Sequence, residues 1–203
     1  YMTRDPLGAR GDFVTAPERS PLFGRTLARQ VAQVLAALPD GDLLEFGAGS
    51  GALAVDLLTE LEQLGCLPRR YLILELSAEL QQRQREAIAR RLPQFADRVL
   101  WLDRLPQGFC GVMLANEVLD AMPVRRFRVT ASGIAELYVA AAGEGLTLIE
   151  AAPQDDRLTR RVAPLDLPPG YESEVNFAAE AWVQTVCACL ERGLLLVIDY
   201  GYP

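Results

Sequence analysis

The sequence predicts an α/β fold: a parallel sheet with helices on both faces. Three observations predict it. Apolar runs of strand length, at residues 43–46, 71–75, 99–102, 111–115 and 194–198, alternate with stretches of helical periodicity. Each run ends on or beside a polar residue, namely Glu45, Glu75, Asp103, Asn116 with Glu117, and Asp199. Between the first run and the helix after it stand three alternating glycines, Gly47, Gly49 and Gly51.

That first unit, LLEFGAGSGALAVDLLTEL at residues 43–61, reads as strand, tight turn and helix. Leu43, Leu44 and Phe46 make the strand, while Leu53, Leu57, Leu58, Leu61 and Leu64 recur at helical spacing. Glycine suits the turn because the backbone reverses sharply there and a ligand can approach it with no Cβ in the way. The N-terminus of the following helix then offers free N–H groups. Two cofactor classes use such a turn. Gly47, Gly49 and Ala52 meet the dinucleotide pattern G-x-G-x-x-A, and Glu45, Gly47, Gly49 and Gly51 meet in full the acid-x-G-x-G-x-G pattern of S-adenosylmethionine (SAM) sites. The motif favours SAM. A glycine turn without any ligand is disfavoured, since each glycine costs roughly 0.5–1 kcal/mol in regular structure.

The remaining elements follow in order. The segment up to Gly24 mixes Pro, Gly and Asp and reads as a loop. Ser20 and Pro21 mark a helix start; Leu27, Val31, Val34, Leu35 and Leu38 line one face, and the helix stops near Pro39, Asp40 and Gly41. After the break at 65–68 come the second strand and, capped by Ser77, a helix over 78–91. The third strand ends at Asp103, and the fourth runs into Asn116 and Glu117. Residues 125–152 break the rhythm. Strands at 126–129, 135–139 and 146–150 suggest an antiparallel β insertion between the fourth and fifth core strands, the last two joined through Gly143, Glu144 and Gly145. A loop with Pro164, Pro168, Pro169 and Gly170, a helix over about 178–190 and the fifth strand complete the chain. Sheets of this class carry further strands, and the first residue is Tyr1, so residues 1–203 read as one domain shortened at both ends.

Composition narrows the chemistry. With 203 residues and 50% hydrophobic content, the chain can bury one ordinary core. A net charge of −7 and no basic run beyond Arg125, Arg126 and Arg128 argue against a nucleic-acid partner. There is neither lysine nor histidine. A Ser-His-Asp triad, a Schiff base, a His-ligated zinc and an imidazole base are therefore excluded, no metal site is expected, and acid–base work falls to Asp, Glu, Tyr or Cys. Cys66, Cys110, Cys187 and Cys189 are too few and scattered for a disulfide framework and read as buried thiols in a reducing compartment. No apolar run approaches the roughly 20 residues of a membrane span, and no signal peptide is visible.

An open parallel sheet binds its ligand outside the carboxyl ends of its strands, where strand order reverses. Glu75, at the tip of the second strand, stands where an acid takes both hydroxyls of a ribose. Asp103 is placed either to accept from an adenine amino group or to serve as a turn residue before Arg104.

Five segments, GDFVTAPERSPLFG, LLEFGAGSGALA, YLILELSAELQQRQR, LANEVLDAMPVRRF and YESEVNFAAEAW, together resemble the MidA family of SAM-dependent methyltransferases, whose mitochondrial members methylate arginine on a subunit of respiratory complex I. The resemblance covers nearly the whole chain, and its first and fourth segments are specific to that family. It implies a class I (Rossmann-like) methyltransferase fold, SAM as cofactor, a protein substrate with an arginine acceptor, and complex I assembly as the setting. A bacterial member would be cytoplasmic and a eukaryotic one mitochondrial. Family members are longer at both ends. Where many of them have histidine after MPV, this sequence has Arg125, so no catalytic role is carried over to that position.

An arginine acceptor is protonated at pH 7, with a pKa above about 12, and needs carboxylates to orient it and take a proton. Glu117 and Asp120 look like the paired acids of other arginine methyltransferases, an analogy of fold position; the alternative is that Asp120 caps a short helix. Asn116 is expected to bond the methionine moiety. Asp12, Thr15 and Glu18, with Phe13 and Phe23, would fold over the cofactor as a lid, with Thr15 among its contacts, or are ordinary turn residues. Glu174 and Asn176 are candidates for the acceptor side, and Tyr200 either reaches the site or packs. The rival functions are a SAM-binding assembly factor acting through partner contacts and a nicotinamide-dependent oxidoreductase with a tyrosine proton donor. Leu137 and Tyr138, read as exposed on the β insertion, suit a homodimer or a substrate contact.

Overall fold

The computed structural model describes residues 16–201. Thr15, Asp12 and Phe13 lie outside the described residues. The chain divides into two compact units, one running to Asp120 and resuming at Thr185, the other Ala121–Gln184.

The first unit holds the parallel sheet. Its elements are α1 (Ala16–Arg19), α2 (Pro21–Ala36), β1 (Asp42–Phe46), α3 (Ala52–Gln63), β2 (Tyr71–Leu74), α4 (Ala78–Arg91), β3 (Val99–Leu102), β4 (Phe109–Asn116) and β9 (Leu190–Ile198). Strand order is β3-β2-β1-β4-β9, with every neighbouring pair parallel. Ser20 caps α2 by accepting the Leu22 N–H at 3.2 Å, with Pro21 in the first turn. The buried face of α2, with Leu27, Ala28, Val31 and Leu35, joins Leu53, Leu57, Leu58 and Leu61 of α3 over Leu43, Tyr71, Ile73 and Val112 of the sheet. Gly24 lets the two helices touch: a Cβ there would stand 2.5 Å from that of Asp56. All five residues of β1 are buried, as expected of a central strand covered on both faces. At its amino end Asp42 is held by Arg69 at 2.9 Å and Arg70 at 2.5 Å. Burial alone would raise its pKa, but the two guanidinium groups bring it below the usual carboxylate value.

The second unit holds β5 (Arg125–Thr130), β6 (Gly133–Ala142), β7 (Gly145–Ala151), α5 (Asp156–Val162) and β8 (Glu172–Val175). They form an antiparallel sheet of order β7-β6-β5-β8. Phe127, Leu158 and Val162 are its core, with Val129, Ile134, Val175 and Phe177 against them. The helix α6 (Phe177–Cys189) precedes β9 without a loop.

Several expectations need correction. Residues 16–19, read as loop, form a helical turn. The insertion expected at 125–152 gains a fourth strand, β8, and the helix α5, both from the segment read as a loop. The reason is short length and polarity: α5 buries only Leu158 and Val162 among charged neighbours, and β8 reads Glu-Ser-Glu-Val. The fifth core strand begins at Leu190, not 194. Leu137 is 8% exposed, not a surface residue, and Tyr138 is half-buried. Of the four thiols only Cys189 is buried; Cys187, two residues earlier on α6, is exposed.

Candidate cofactor site and acidic rim

The register brings the strand ends to one edge. Phe46 pairs with Leu74 and Ala115, Leu74 with Leu102, and Asn116 with Ile198. Glu75, Asp103, Glu117 and Asp199 are the next residues along each chain, so the four acids share one rim. Strand order turns at β1, which has β2 on one side and β4 on the other. That is the switch point where such a sheet opens a crevice.

The turn after β1 depends on glycine at three places. Gly47, Gly49 and Gly51 have φ of 61°, 53° and 81°, left-handed backbone that side chains avoid. The Gly47 N–H donates to Leu74 O at 3.1 Å, and that of Gly51 to Ala48 O at 2.8 Å. Gly51 is the N-cap of α3 and has no side chain to occupy the helix N-terminus.

Glu75 is 8% exposed. Its Oε1 accepts the Ser77 N–H at 2.9 Å, and its Oε2 accepts from Gln84 Nε2 at 3.3 Å. Glu45, read as part of the cofactor motif, has a partner within the sheet. It is 3% exposed and its Oε2 accepts the Tyr71 hydroxyl at 2.5 Å. Burial pushes its pKa up to about 7, the Tyr71 bond opposes the rise and the nearby charge of Glu75 adds to it. Asp103 is exposed beside Arg104, with Nε to Oδ1 at 3.3 Å.

At the end of β4, Asn116 is partly buried. Glu117 takes φ 51°, a strained value for a side-chain-bearing residue, and its N–H donates to Ile198 O at 2.9 Å. Asp199 ties down the residues that follow: its Oδ2 accepts the N–H groups of Leu119 at 3.0 Å and Asp120 at 3.2 Å. Asp120 Oδ2 accepts the Tyr200 hydroxyl at 2.5 Å. The Asp120 hydrogen bond pushes the Tyr200 pKa up to about 12, and the charges of Asp120, Asp199 and Glu117 favour the same neutral form. Tyr200 is thus a hydrogen-bond donor on the rim, 73% exposed, rather than a packing residue. Glu18 on α1 leaves Oε2 buried with no hydrogen-bond partner among the described residues, and α1 packs against α3.

Residues in the second unit have their own partners. Glu174 lies on β8 opposite Arg126. Asn176 Oδ1 accepts the Ala179 N–H at 2.8 Å, capping α6. Arg125 pairs with Glu136 and, at 3.0 Å, with Asp155. Glu136 also accepts the Tyr138 hydroxyl at 2.7 Å and the Gln154 N–H at 3.1 Å.

Sequence reasoning passed over Gln84, which binds both the glycine turn and Glu75. A signal existed: it stands one helical turn before Ile88 on the buried face of α4.

SAM fits these residues: a glycine turn with left-handed backbone ahead of a helix N-terminus, and a carboxylate at the second strand tip. The reversing parallel sheet and this turn are those expected of a class I SAM-dependent methyltransferase, and the relatives below fix that class. The chain belongs to the family described as S-adenosyl-L-methionine-dependent methyltransferase, Methyltransf_28, whose profile matches residues 26–203. Among curated relatives, the mitochondrial protein arginine methyltransferase NDUFAF7 of Mus musculus is 32% identical, aligned over 100% of this chain and 52% of its own. Its Danio rerio counterpart is 29% identical over 100% and 54%. The chain spans about half the length of the curated relatives it matches. A crystal structure of a COG1565 superfamily member from Burkholderia thailandensis, bound to S-adenosyl-homocysteine, superimposes with a TM-score of 0.90 at 46% identity, over 98% of this chain and 53% of that one. A native structure from the same organism gives 0.86 at 48%, over 96% and 52%.

Proposed function

We propose that this protein transfers the methyl group of SAM to arginine side chains of a protein substrate, for which the resemblance read in the sequence implies a subunit of respiratory complex I. The observation that carries the reading is the acidic rim segment at the end of β4, where Glu117 and Asp120 follow the strand beside the glycine turn and Asp199 holds the backbone amides of Leu119 and Asp120. The relatives named protein arginine methyltransferase support it. The setting we propose is the cytoplasm of a bacterium or the mitochondrion of a eukaryote. Among the described residues no helix is long and apolar enough to cross a membrane.

SAM supplies, when bound, a methyl group already activated by a positive sulfur. The protein's own task is to hold the acceptor in line with that carbon and exclude water. Glu117 and Asp120 grip the guanidinium through its N–H donors. As the new C–N bond forms and the S–C bond breaks, the sulfur keeps the bonding pair and becomes a neutral thioether, and the substituted guanidinium loses a proton to one of these carboxylates or to water. With no histidine or lysine in the chain, carboxylates are the bases at hand. Tyr200 and Asp199 hold Asp120 in position.

The test uses the full-length protein, isotopically labelled SAM and the candidate subunit, with the modified residue located by mass spectrometry. Label on arginine is expected, with transfer reduced about 100-fold or more in Glu117→Gln/Asp120→Asn and partner binding retained. Label on another residue type sinks the arginine assignment. If the double variant changes neither transfer nor partner binding, the reading as a SAM-binding assembly factor replaces this one.

A further inference from the structure

Gln84 is fully buried, with 0% exposure, in the middle of a helix that otherwise buries only Ile88. A buried amide needs partners for two N–H donors and a carbonyl, and this one finds all three. Nε2 donates to Gly49 O at 2.9 Å and to Glu75 Oε2 at 3.3 Å, while Oε1 accepts the Trp101 indole N–H at 2.8 Å. The arrangement has a direction. An indole nitrogen can only donate, so Trp101 obliges the amide to turn its oxygen toward β3. Both amide hydrogens then face the glycine turn and the acid. Arg85 closes over the Trp101 ring, its Cζ 3.9 Å from the centroid, which holds the indole in place. The backbone fits as tightly: a Cβ on Gly51 would stand 3.4 Å from Gln84 Cα.

The consequence falls on Glu75. Its Oε1 is bonded to the Ser77 N–H and its Oε2 to Gln84, so the plane of the carboxylate is set before any ligand arrives. Each oxygen keeps a second lone pair, and the two together suit a pair of neighbouring hydroxyl donors. We infer that Gln84 is a positioning residue of the cofactor site: it locks the Glu75 carboxylate to the glycine turn in the orientation that receives a vicinal diol, with Trp101 dictating which way the amide faces. The inference rests on reading Glu75 as the acid that takes the ribose hydroxyls, and is independent of which side chain receives the methyl group.

Calorimetric titration with S-adenosylhomocysteine, without any acceptor, tests it. Gln84→Met keeps the volume and removes every hydrogen bond, and its affinity is expected to fall about tenfold. Trp101→Phe keeps an aromatic ring and frees the amide to flip, and a loss of about threefold is expected. The variant that separates positioning from packing is Glu75→Ala/Gln84→Met. If Gln84 acts through Glu75, the double variant binds no more weakly than Glu75→Ala alone. Losses that multiply overturn the inference, as does full affinity in a folded Gln84→Met. Should Gln84→Met fail to fold, Trp101→Phe decides alone, and unchanged affinity there is the overturning result. Unchanged affinity in Glu75→Ala overturns the reading of Glu75 and this inference with it, while arginine transfer stands on its own assay.

Discussion

Burial makes Glu45 an acid that ionises well above the ordinary carboxylate range. Its pKa stands at about 7 against an ordinary value of 4.5. Between those values the folded chain binds more protons at this site than the unfolded chain, so stability falls as pH rises across that window. The contribution of Glu45 is therefore complete below pH 4.5 and lost as pH passes 7. Glu45→Gln keeps an acceptor for the Tyr71 hydroxyl and never ionises. Its melting temperature relative to the parent is expected to be more favourable at pH 8 than at pH 5; a difference constant across that range would remove burial of a charge as the explanation. The same residue shows what a motif can and cannot convey. The acid-x-G-x-G-x-G pattern was legible, as was Glu75 at a strand tip, because chain order alone places strand ends. Where Glu45 points depends on Tyr71, 26 residues away, and the role of Gln84 depends on Trp101 and Gly49, on two other elements.

At the scale of elements, the parallel strands were legible from apolar runs, but what lets them sit side by side was not. Asp42, Gly111 and Gly193 stand in one row across β1, β4 and β9. Gly111 and Gly193 have φ of 141° and 143°, and a Cβ on either would land on backbone of the neighbouring strand, at Asp42 O and Gly111 O respectively. Gly111 looks like an ordinary strand start in the sequence, since nothing local marks a close approach from another strand. Gly111→Ala and Gly193→Ala are each expected to cost roughly 3 kcal/mol or more, read from denaturant unfolding. Gly65→Asn, at φ 63° with nothing within 4 Å, is the control and is expected to stay within about 1 kcal/mol. Equal losses at all three would show that backbone conformation rather than crowding sets the cost. Elements whose polarity hides them, α5 and β8, were illegible for a different reason: their apolar contacts are few and come from the rest of their own sheet.

For the molecule as a whole, the chain carries two compact units with different means of cohesion. One is a large apolar core. The other, Ala121–Gln184, has a small core and a partly buried ionic cluster of Arg125, Glu136, Asp155 and Tyr138, in which Glu136 is the buried member. The Arg125 bond is the main cause holding Glu136 down at about 2 against 4.5, which outweighs the opposing effect of burial. That stabilisation is present above pH 4.5 and lost as pH falls toward 2. Arg125→Met leaves Glu136 buried without its partner and is expected to cost about 3 kcal/mol. Hydrogen exchange should show the loss in the amides of 121–184 and little change in those of β1 and β4; uniform loosening would contradict this division. The two tryptophans fall one to each unit, Trp101 in the first and Trp182 in the second. Each unit thus carries its own intrinsic fluorophore: Trp182→Phe leaves emission reporting on the sheet that bears the glycine turn, and Trp101→Phe leaves it reporting on the insertion, so light alone can tell whether the two come apart together or in turn.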